Sequence, residues 1–204
     1  MGITELLLHA KVRPTESTGN VGELAAGKKE SRPPTEDDVL GPFYRVGAPY
    51  RAKVCPHGAL GTPLLISGRV WAFDTKKPLV AHLDIWQADS SGKYDNHNPR
   101  KKPKRYSYRT RAVTDEHGSY EFESIHPGSY QLDDGTWRAP HVHFIVSAYG
   151  YVTLVTQLFF KGDKHLDTDP FVKKSLIIPI HAVAASRATA QFGVFDIVLV
   201  RPES

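Results

Sequence analysis

The stretch "WRAPHVHFIVSAYG", residues 137–150, places His141 and His143 one residue apart in an otherwise apolar run. In an extended strand, successive side chains point to opposite faces. The two imidazoles therefore project to one side, about 7 Å apart along the chain, while Val142 and Phe144 face the other way. Two neutral imidazoles on one face can give a metal two adjacent nitrogen ligands. The same pattern also suits two hydrogen-bonded structural histidines, so the pair alone decides nothing.

A metal would need further ligands, normally a carboxylate, a thiolate or a third histidine. Residues 137–160 contain no Asp or Glu, and the single cysteine, Cys55, is remote in sequence. Tyrosines do precede strands, at Tyr94 in "SSGKYDNHN" and Tyr130 in "HPGSYQL". A tyrosine normally titrates near pH ~10, so only a strongly acidic cation such as ferric iron would hold it ionised at neutral pH.

These groups must be positioned by a strand-rich scaffold. The segments "LLISGRVWAF", "LVAHLDIWQA", "YSYRTRAVT", "GSYEFESI", "HVHFIVSAY", "LVTQLFF" and "FGVFDIVLV" are rich in Val, Ile, Phe, Tyr and Trp. Gly, Pro, Asp and Asn clusters separate them. "SYEFES" alternates strictly, and "DEHG" at 115–118 reads as a hairpin turn. The one helical signal is "IHAVAASRA", 180–188. The pattern predicts an all-β fold, an antiparallel β-sandwich with long loops and an N-terminal arm. The polar segment 1–34 reads as an extended arm, and residues 35–204 as one β-sandwich catalytic domain.

Bulk composition fits an ordinary globular chain of 204 residues, 40% hydrophobic and 24% charged. One cysteine excludes an internal disulfide. The N-terminus does not read as a signal peptide and no stretch is long enough to span a membrane, so a cytoplasmic protein without membrane partners is expected. The net charge of +4 is scattered. Its one cluster, "RKKPKR" at 100–105, reads as a solvated loop rather than a nucleic-acid site. Asp163 and Asp169 in "GDKHLDTDP" read as turn formers in a solvated loop, His126 as a surface turn histidine, and His82 as a satisfied strand histidine. Trp71 and Trp86 read as core, and Cys55 as inert.

Four longer motifs carry a resemblance. "TEDDVLGPFYR" resembles an opening stretch ending in G-P-F/Y. "ISGRVWAFDTKKPLVAHLDIWQADSSGKYD" resembles G-x-V-x-D…G-x-P-V-x-x-A-x-V-x-I-W-x-A…G-x-Y. "VTDEHGSYEFESIHPGSY" resembles T-D-x-x-G-x-Y-x-F-x-T-x-x-P-x-x-Y. "WRAPHVHFIVSAYGYVTLVTQLFFKGD" resembles R-P-A-H-I-H-F…L-x-T-Q-x-(Y/F)-F-x-G-D, the most specific of the four. In this order they are similar to the intradiol ring-cleaving dioxygenases, from about Thr35 to Asp169.

The resemblance implies a non-haem Fe(III) centre held by Tyr94, Tyr130, His141 and His143. It implies that a catechol binds as a dianion and displaces Tyr130, and that O₂ then cleaves the ring between its hydroxyl-bearing carbons to a cis,cis-muconate-type product. Tyr130 is thus catalytic as well as a ligand. Arg138 matches an arginine that stabilises carbanion character in the ring and touches substrate, and Gln157 a glutamine lying near it. Val39, Pro42 and Trp86 match substrate-lining positions. The implied partners are a small catechol and O₂, with no nucleic acid, in a homo-oligomer of dimer size or larger. One departure lies close to the site: the usual R-P-A-H is "RAPH" here, so Pro140 directly precedes His141. A non-catalytic transthyretin-like β-sandwich would account for the Y-x-F and P-G-x-Y strands, but needs neither H-x-H nor R-x-x-H. A cupin-like Zn²⁺ or Fe²⁺ site would need a carboxylate or a third histidine, for which His126 is the nearest candidate.

Overall fold

The computed structural model describes residues 32–96, 105–185 and 188–203. The expected arm thus lies outside the described residues except for 32–34, and the basic cluster except for Arg105. Twelve strands follow in chain order: β1 (Pro63–Ala72), β2 (His82–Gln87), β3 (Arg109–Val113), β4 (Ser119–Ile125), β5 (Tyr130–Gln131), β6 (Trp137–Arg138), β7 (His141–Ser147), β8 (Leu154–Phe160), β9 (Ile177–Ile178), β10 (His181–Ala185), β11 (Ala188–Val194) and β12 (Ile197–Leu199). Among the described residues a single 3₁₀ turn spans Lys174–Leu176.

The strands form two five-stranded sheets and one short hairpin, β5–β6. In the first sheet, β1 pairs along one edge with β4. Its other edge pairs first with β11 and then with β12, and β10 closes that side against β11. The second sheet runs β3-β2-β7-β8-β9. Ile66, Val70, Tyr120 and Phe122 of the first sheet pack with Leu83, Ile85, Val142, Phe144, Val146 and Leu158 of the second in one buried cluster. Burying such alternating apolar faces against each other is what stabilises a two-layer β fold.

Three sequence expectations change. The sandwich is mixed rather than purely antiparallel, because β1 pairs in parallel with β11 and β12, and β8 with β9. Parallel neighbours require long crossovers, and here the partner strands of β1 lie more than a hundred residues downstream. Of the segment 180–188, residues 186 and 187 lie outside the described residues and the strand that precedes them is extended, not helical: His181–Ala185 pair antiparallel with Ala188–Phe192. Edge pairing overrides the helical propensity of an alanine-rich run. "DEHG" is a turn but not a hairpin, since β3 pairs with β2 and β4 with β1, not with each other. It carries the chain between sheets, with Asp115 Oδ1 accepting the amides of His117 and Ser119 at 2.9 and 2.7 Å.

The changeover from β11 to β12 explains one glycine. A Cβ on Gly68 would stand 2.0 Å from the Phe195 carbonyl oxygen, so only glycine lets β1 pass that bend.

Candidate metal centre

Strand β7 is central in its sheet and buried on both faces. Val142, Phe144 and Val146 face the core. His141 and His143 face outward, yet are only 2% and 1% exposed, because loops cover them. Register places Trp86 of β2 and Gln157 of β8 on either side of His143. Trp86 lies flat beneath the His143 ring, centroids 4.7 Å apart and planes 2° apart, and is itself 1% exposed.

Tyr94 comes from the loop after β2 and Tyr130 from the short strand β5. The Tyr94 hydroxyl lies 3.1 Å from His141 Nε2, and His141 Nε2 lies 3.1 Å from His143 Nε2. The Tyr130 ring packs on Tyr94 at 5.8 Å and on His141 at 5.7 Å. Thus the four side chains singled out in the sequence meet at one point. Tyr94 is 2% exposed; Tyr130 is half-buried.

The His141 tautomer follows from its partner. Nδ1 lies 2.6 Å from the Ala139 carbonyl oxygen, which can only accept, so Nδ1 carries the proton. Nε2 is left with a lone pair aimed at the other donors, the orientation that a carbonyl behind a metal-binding histidine imposes. The two Nε2 atoms, 3.1 Å apart, stand close enough that both could bind one ion. His143 Nδ1 is buried with no partner among the described residues.

Burial, reinforced by the nearby Arg138 charge, lowers His141 to about 3. Burial, His141 and the arginines 138 and 109 hold His143 well below its ordinary range. Burial also raises both tyrosines, Tyr94 strongly. The protein alone therefore holds four neutral donors. Neutral imidazoles are the form that ligates a metal, and a strongly charged cation is what would ionise the phenols. Among the described residues no three of His, Cys, Asp and Glu come together, so a carboxylate-based site finds no support. His126 is not part of the centre. It is half-buried, bonded to Gln191 at 2.8 Å and packed on Phe160, whose side chain points to the opposite face of β8 from Gln157.

Arg138 stands directly opposite Tyr130 in the β5–β6 hairpin and is 4% exposed. Its Nη2 donates to Gln157 Oε1 at 2.8 Å, and Gln157 Nε2 donates to the Val39 carbonyl at 3.0 Å. Gln157 so ties the arginine to the segment 38–44 that covers the site. On that segment Val39, Leu40 and Pro42 are exposed. Gly41, at φ +71°, turns the chain so closely that a Cβ would meet His143 Cε1 at 3.4 Å.

Sequence reasoning passed over several residues. Phe43 stacks on Tyr94 at 4.2 Å and meets Tyr130 edge-on at 6.2 Å. Asp95 and Asn96, next to Tyr94, bind Arg109 at 2.7 and 2.6 Å, and Asn96 Nδ2 donates to the Phe43 carbonyl. Asp169 is not solvated but 5% exposed and paired with Arg138 at 2.9 Å. Trp71 is not core: it is half-exposed under the Arg32 guanidinium. His82 is exposed at the start of β2. Cys55 is buried, and burial raises its thiol.

Residues 40–201 match the family model described as Dioxygenase. The chain is 31% identical over 186 residues to a chlorocatechol 1,2-dioxygenase of Rhodococcus opacus, covering 81% of this chain and 72% of that one. It is 35% identical over 168 residues to a 6-chlorohydroxyquinol 1,2-dioxygenase of Cupriavidus pinatubonensis, covering 70% and 57%. The chain thus spans little more than half the length of the second relative. Among solved structures, the dioxygenase domain of a dioxygenase–carbohydrate-binding protein fusion from Streptomyces sp. SirexAA-E superposes with a TM-score of 0.70 at 30% identity. That match covers 83% of this chain and 100% of that one. On the family match and these identities, borne by a fold of two packed β-sheets, the chain belongs to the intradiol ring-cleaving dioxygenases.

Proposed function

We propose that the protein is a non-haem Fe(III) intradiol dioxygenase that opens a catecholic ring between its two hydroxyl-bearing carbons with O₂, giving a cis,cis-muconate-type product. The observation that carries this reading is that His141 Nε2 lies 3.1 Å from both Tyr94 Oη and His143 Nε2, with the Tyr130 ring packed against Tyr94 and His141. When bound, ferric iron supplies the Lewis acidity that ionises phenols and the redox partner that makes a catecholate reactive toward O₂.

The chain's own residues divide the remaining work. His141 and His143 serve as neutral donors, one oriented by the Ala139 carbonyl and the other by stacking on Trp86. Tyr94 is the permanent phenolate. Tyr130 would be the one that yields to substrate, its Oη taking one of the two catechol protons while the other leaves to solvent. The fold supports this division, because Tyr94 is enclosed by Phe43 and anchored through its neighbours, whereas Tyr130 is half-buried on a two-residue strand. Arg138, opposite Tyr130, supplies a fixed cation where negative charge develops on the ring. Val39 and Pro42 line the approach. Family membership supports a small catechol and O₂ as partners and a homo-oligomeric, cytoplasmic protein.

Purified protein loaded with ferric iron should show a visible tyrosinate-to-iron charge-transfer band. It should also consume O₂ with at least one of catechol, hydroxyquinol, protocatechuate or a chlorinated catechol. Tyr130→Phe should alter the band and His141→Ala should lose iron. A colourless protein holding stoichiometric zinc, or no O₂ uptake with any member of the panel, would overturn the reading.

A further inference from the structure

Asp169 sits in the loop after β8 and takes no part in the chemistry above, yet it is the best-connected carboxylate next to the site. Arg138 Nε donates to both of its oxygens, at 2.9 Å to Oδ2 and 3.1 Å to Oδ1. The Ala139 amide donates to Oδ2 at 2.8 Å, and the Phe171 amide to Oδ1 at 3.0 Å. Phe171 in turn lies against the guanidinium at 4.5 Å. The loop itself is tied down, since the Asp169 amide donates to the His165 carbonyl at 2.9 Å and its carbonyl accepts the Val172 amide at 3.2 Å. His165 stacks on Trp137 at 4.8 Å, behind Arg138.

We propose that Asp169 is a positioning residue that fixes the Arg138 side chain and the Ala139 main chain together, and through Ala139 sets the orientation of His141. Oδ2 receives both Arg138 Nε and the Ala139 amide, so one atom restrains two consecutive residues. The Ala139 carbonyl then receives the His141 Nδ1 proton at 2.6 Å. The order Ala139–Pro140 makes this possible. With proline at 139, as in the R-P-A-H order, the position would have no N–H to give to Asp169. With proline at 140, Ala139 keeps its amide and is confined to extended conformations by the ring that follows. The departure from the usual order thus adds a main-chain donor to the carboxylate.

The catalytic consequence rests on the proposed function, but the clamp itself is measurable without it. Two variants test it: Asp169→Asn, and the order swap Ala139→Pro with Pro140→Ala. In metal-free protein, ¹⁵N NMR reads hydrogen exchange at Arg138 Nε and the tautomer of His141. Asp169→Asn should speed that exchange at least tenfold and leave His141 as a mixture of tautomers. The swap, which removes the main-chain donor and moves the proline's restriction from Ala139 to Arg138, should speed exchange several-fold and mix the tautomers in part. In iron-loaded protein Asp169→Asn should lower kcat at least tenfold with KM within about threefold, the split expected when an aimed cation is lost. A merely structural aspartate would lower stability while leaving the Arg138 and His141 signals of the folded protein at their wild-type values, and that result overturns the proposal. If Asp169→Asn does not fold, the swap variant decides by the same two signals. Wild-type protein inactive on every catechol would sink the ring-cleavage reading, while the NMR comparison would still decide the clamp.

Discussion

Replacing Gln157 by leucine isolates the link between Arg138 and the segment over the site. The side chain is fully buried. It makes two hydrogen bonds, accepting from Arg138 Nη2 at 2.8 Å and donating to the Val39 carbonyl at 3.0 Å. Leucine fills similar volume and can make neither. A hydrogen bond to a charged partner contributes about 1.5–3 kcal/mol and a neutral one about 1 kcal/mol. The Val39 carbonyl belongs to an exposed residue and can turn to water, so its loss falls at the low end. Arg138 is buried and has no such recourse. The sum is about 3 kcal/mol, which for a chain of this size corresponds to a fall in Tm of about 6–12 °C. Gln157→Glu keeps an acceptor for Arg138 but sets a second carboxylate oxygen against the Val39 carbonyl; the charge-assisted bond it retains offsets part of that penalty, so it should cost about 2 kcal/mol, less than leucine. Urea unfolding of chelator-treated protein, followed by tryptophan fluorescence, measures both. The reasoning fails if the leucine variant lies within about 0.5 kcal/mol of wild type, or if the two variants lose the same amount.

Gly41→Ala should destabilise by about 1–3 kcal/mol, since a side chain at φ +71° is strained. Gly58→Ala, at φ +74° with nothing within 4 Å of its Cβ, is the matched control, and any excess loss of Tm at position 41 reads the contact with His143. Phe43→Leu keeps apolar bulk but loses two ring contacts with the tyrosines. At about 0.5–1.5 kcal/mol each, it should lower the free energy of urea unfolding by about 1–3 kcal/mol. His126 carries a pH prediction. Burial depresses its pKa in the folded chain despite the opposing bond to Gln191, so below pH ~6.5 the unfolded chain takes up a proton that the fold resists. Its contribution is intact above pH ~6.5 and is lost as pH falls, by up to about 1.4 kcal/mol per unit. His126→Gln should therefore give a flatter dependence of the urea midpoint between pH 7 and 5, and an unchanged slope would refute the assignment.

What could be read from the sequence divides by distance along the chain. "LVTQLFF" coincides with β8, Leu154–Phe160, and the alternation of "SYEFES" survives in β4, because local patterning alone sets which face is buried. The same alternation put His141 and His143 on one side of β7. Their convergence with Tyr94, 47 residues earlier, has no local signature, and only resemblance pointed to it. Asp169 was misread for the same reason. A carboxylate among Gly, Asp, Thr and Pro reads as a turn until its arginine, 31 residues away, is seen beside it. The parallel partners of β1 and the edge strand at 181–185 likewise depend on neighbours that fold in from the far end of the chain.

The two tyrosines are chemically identical but placed unequally. Tyr94 is held by its neighbours: Asp95 and Asn96 lock onto Arg109, Arg45 donates to Asp95 at 2.6 Å, and Phe43 covers the ring. This buried, charge-assisted network fixes the main chain that carries Tyr94, at about 1.5–3 kcal/mol per bond to a charged group. Tyr130 is held by packing on Phe43, Tyr94 and His141 and by a hydrogen bond between its hydroxyl and that of Tyr94, with no charged network of the Asp95–Arg109 kind among its described contacts. Its two-residue strand pairs only with β6, so a rotation there disturbs little else. Arg138 lies opposite that hinge, and its charge lowers the phenol's pKa against the effect of burial. This unequal placement supports the proposed division, in which Tyr94 stays and Tyr130 yields next to a fixed cation. An exchange of one phenol for a substrate oxygen requires that asymmetry, whereas a purely structural metal site would gain nothing from it.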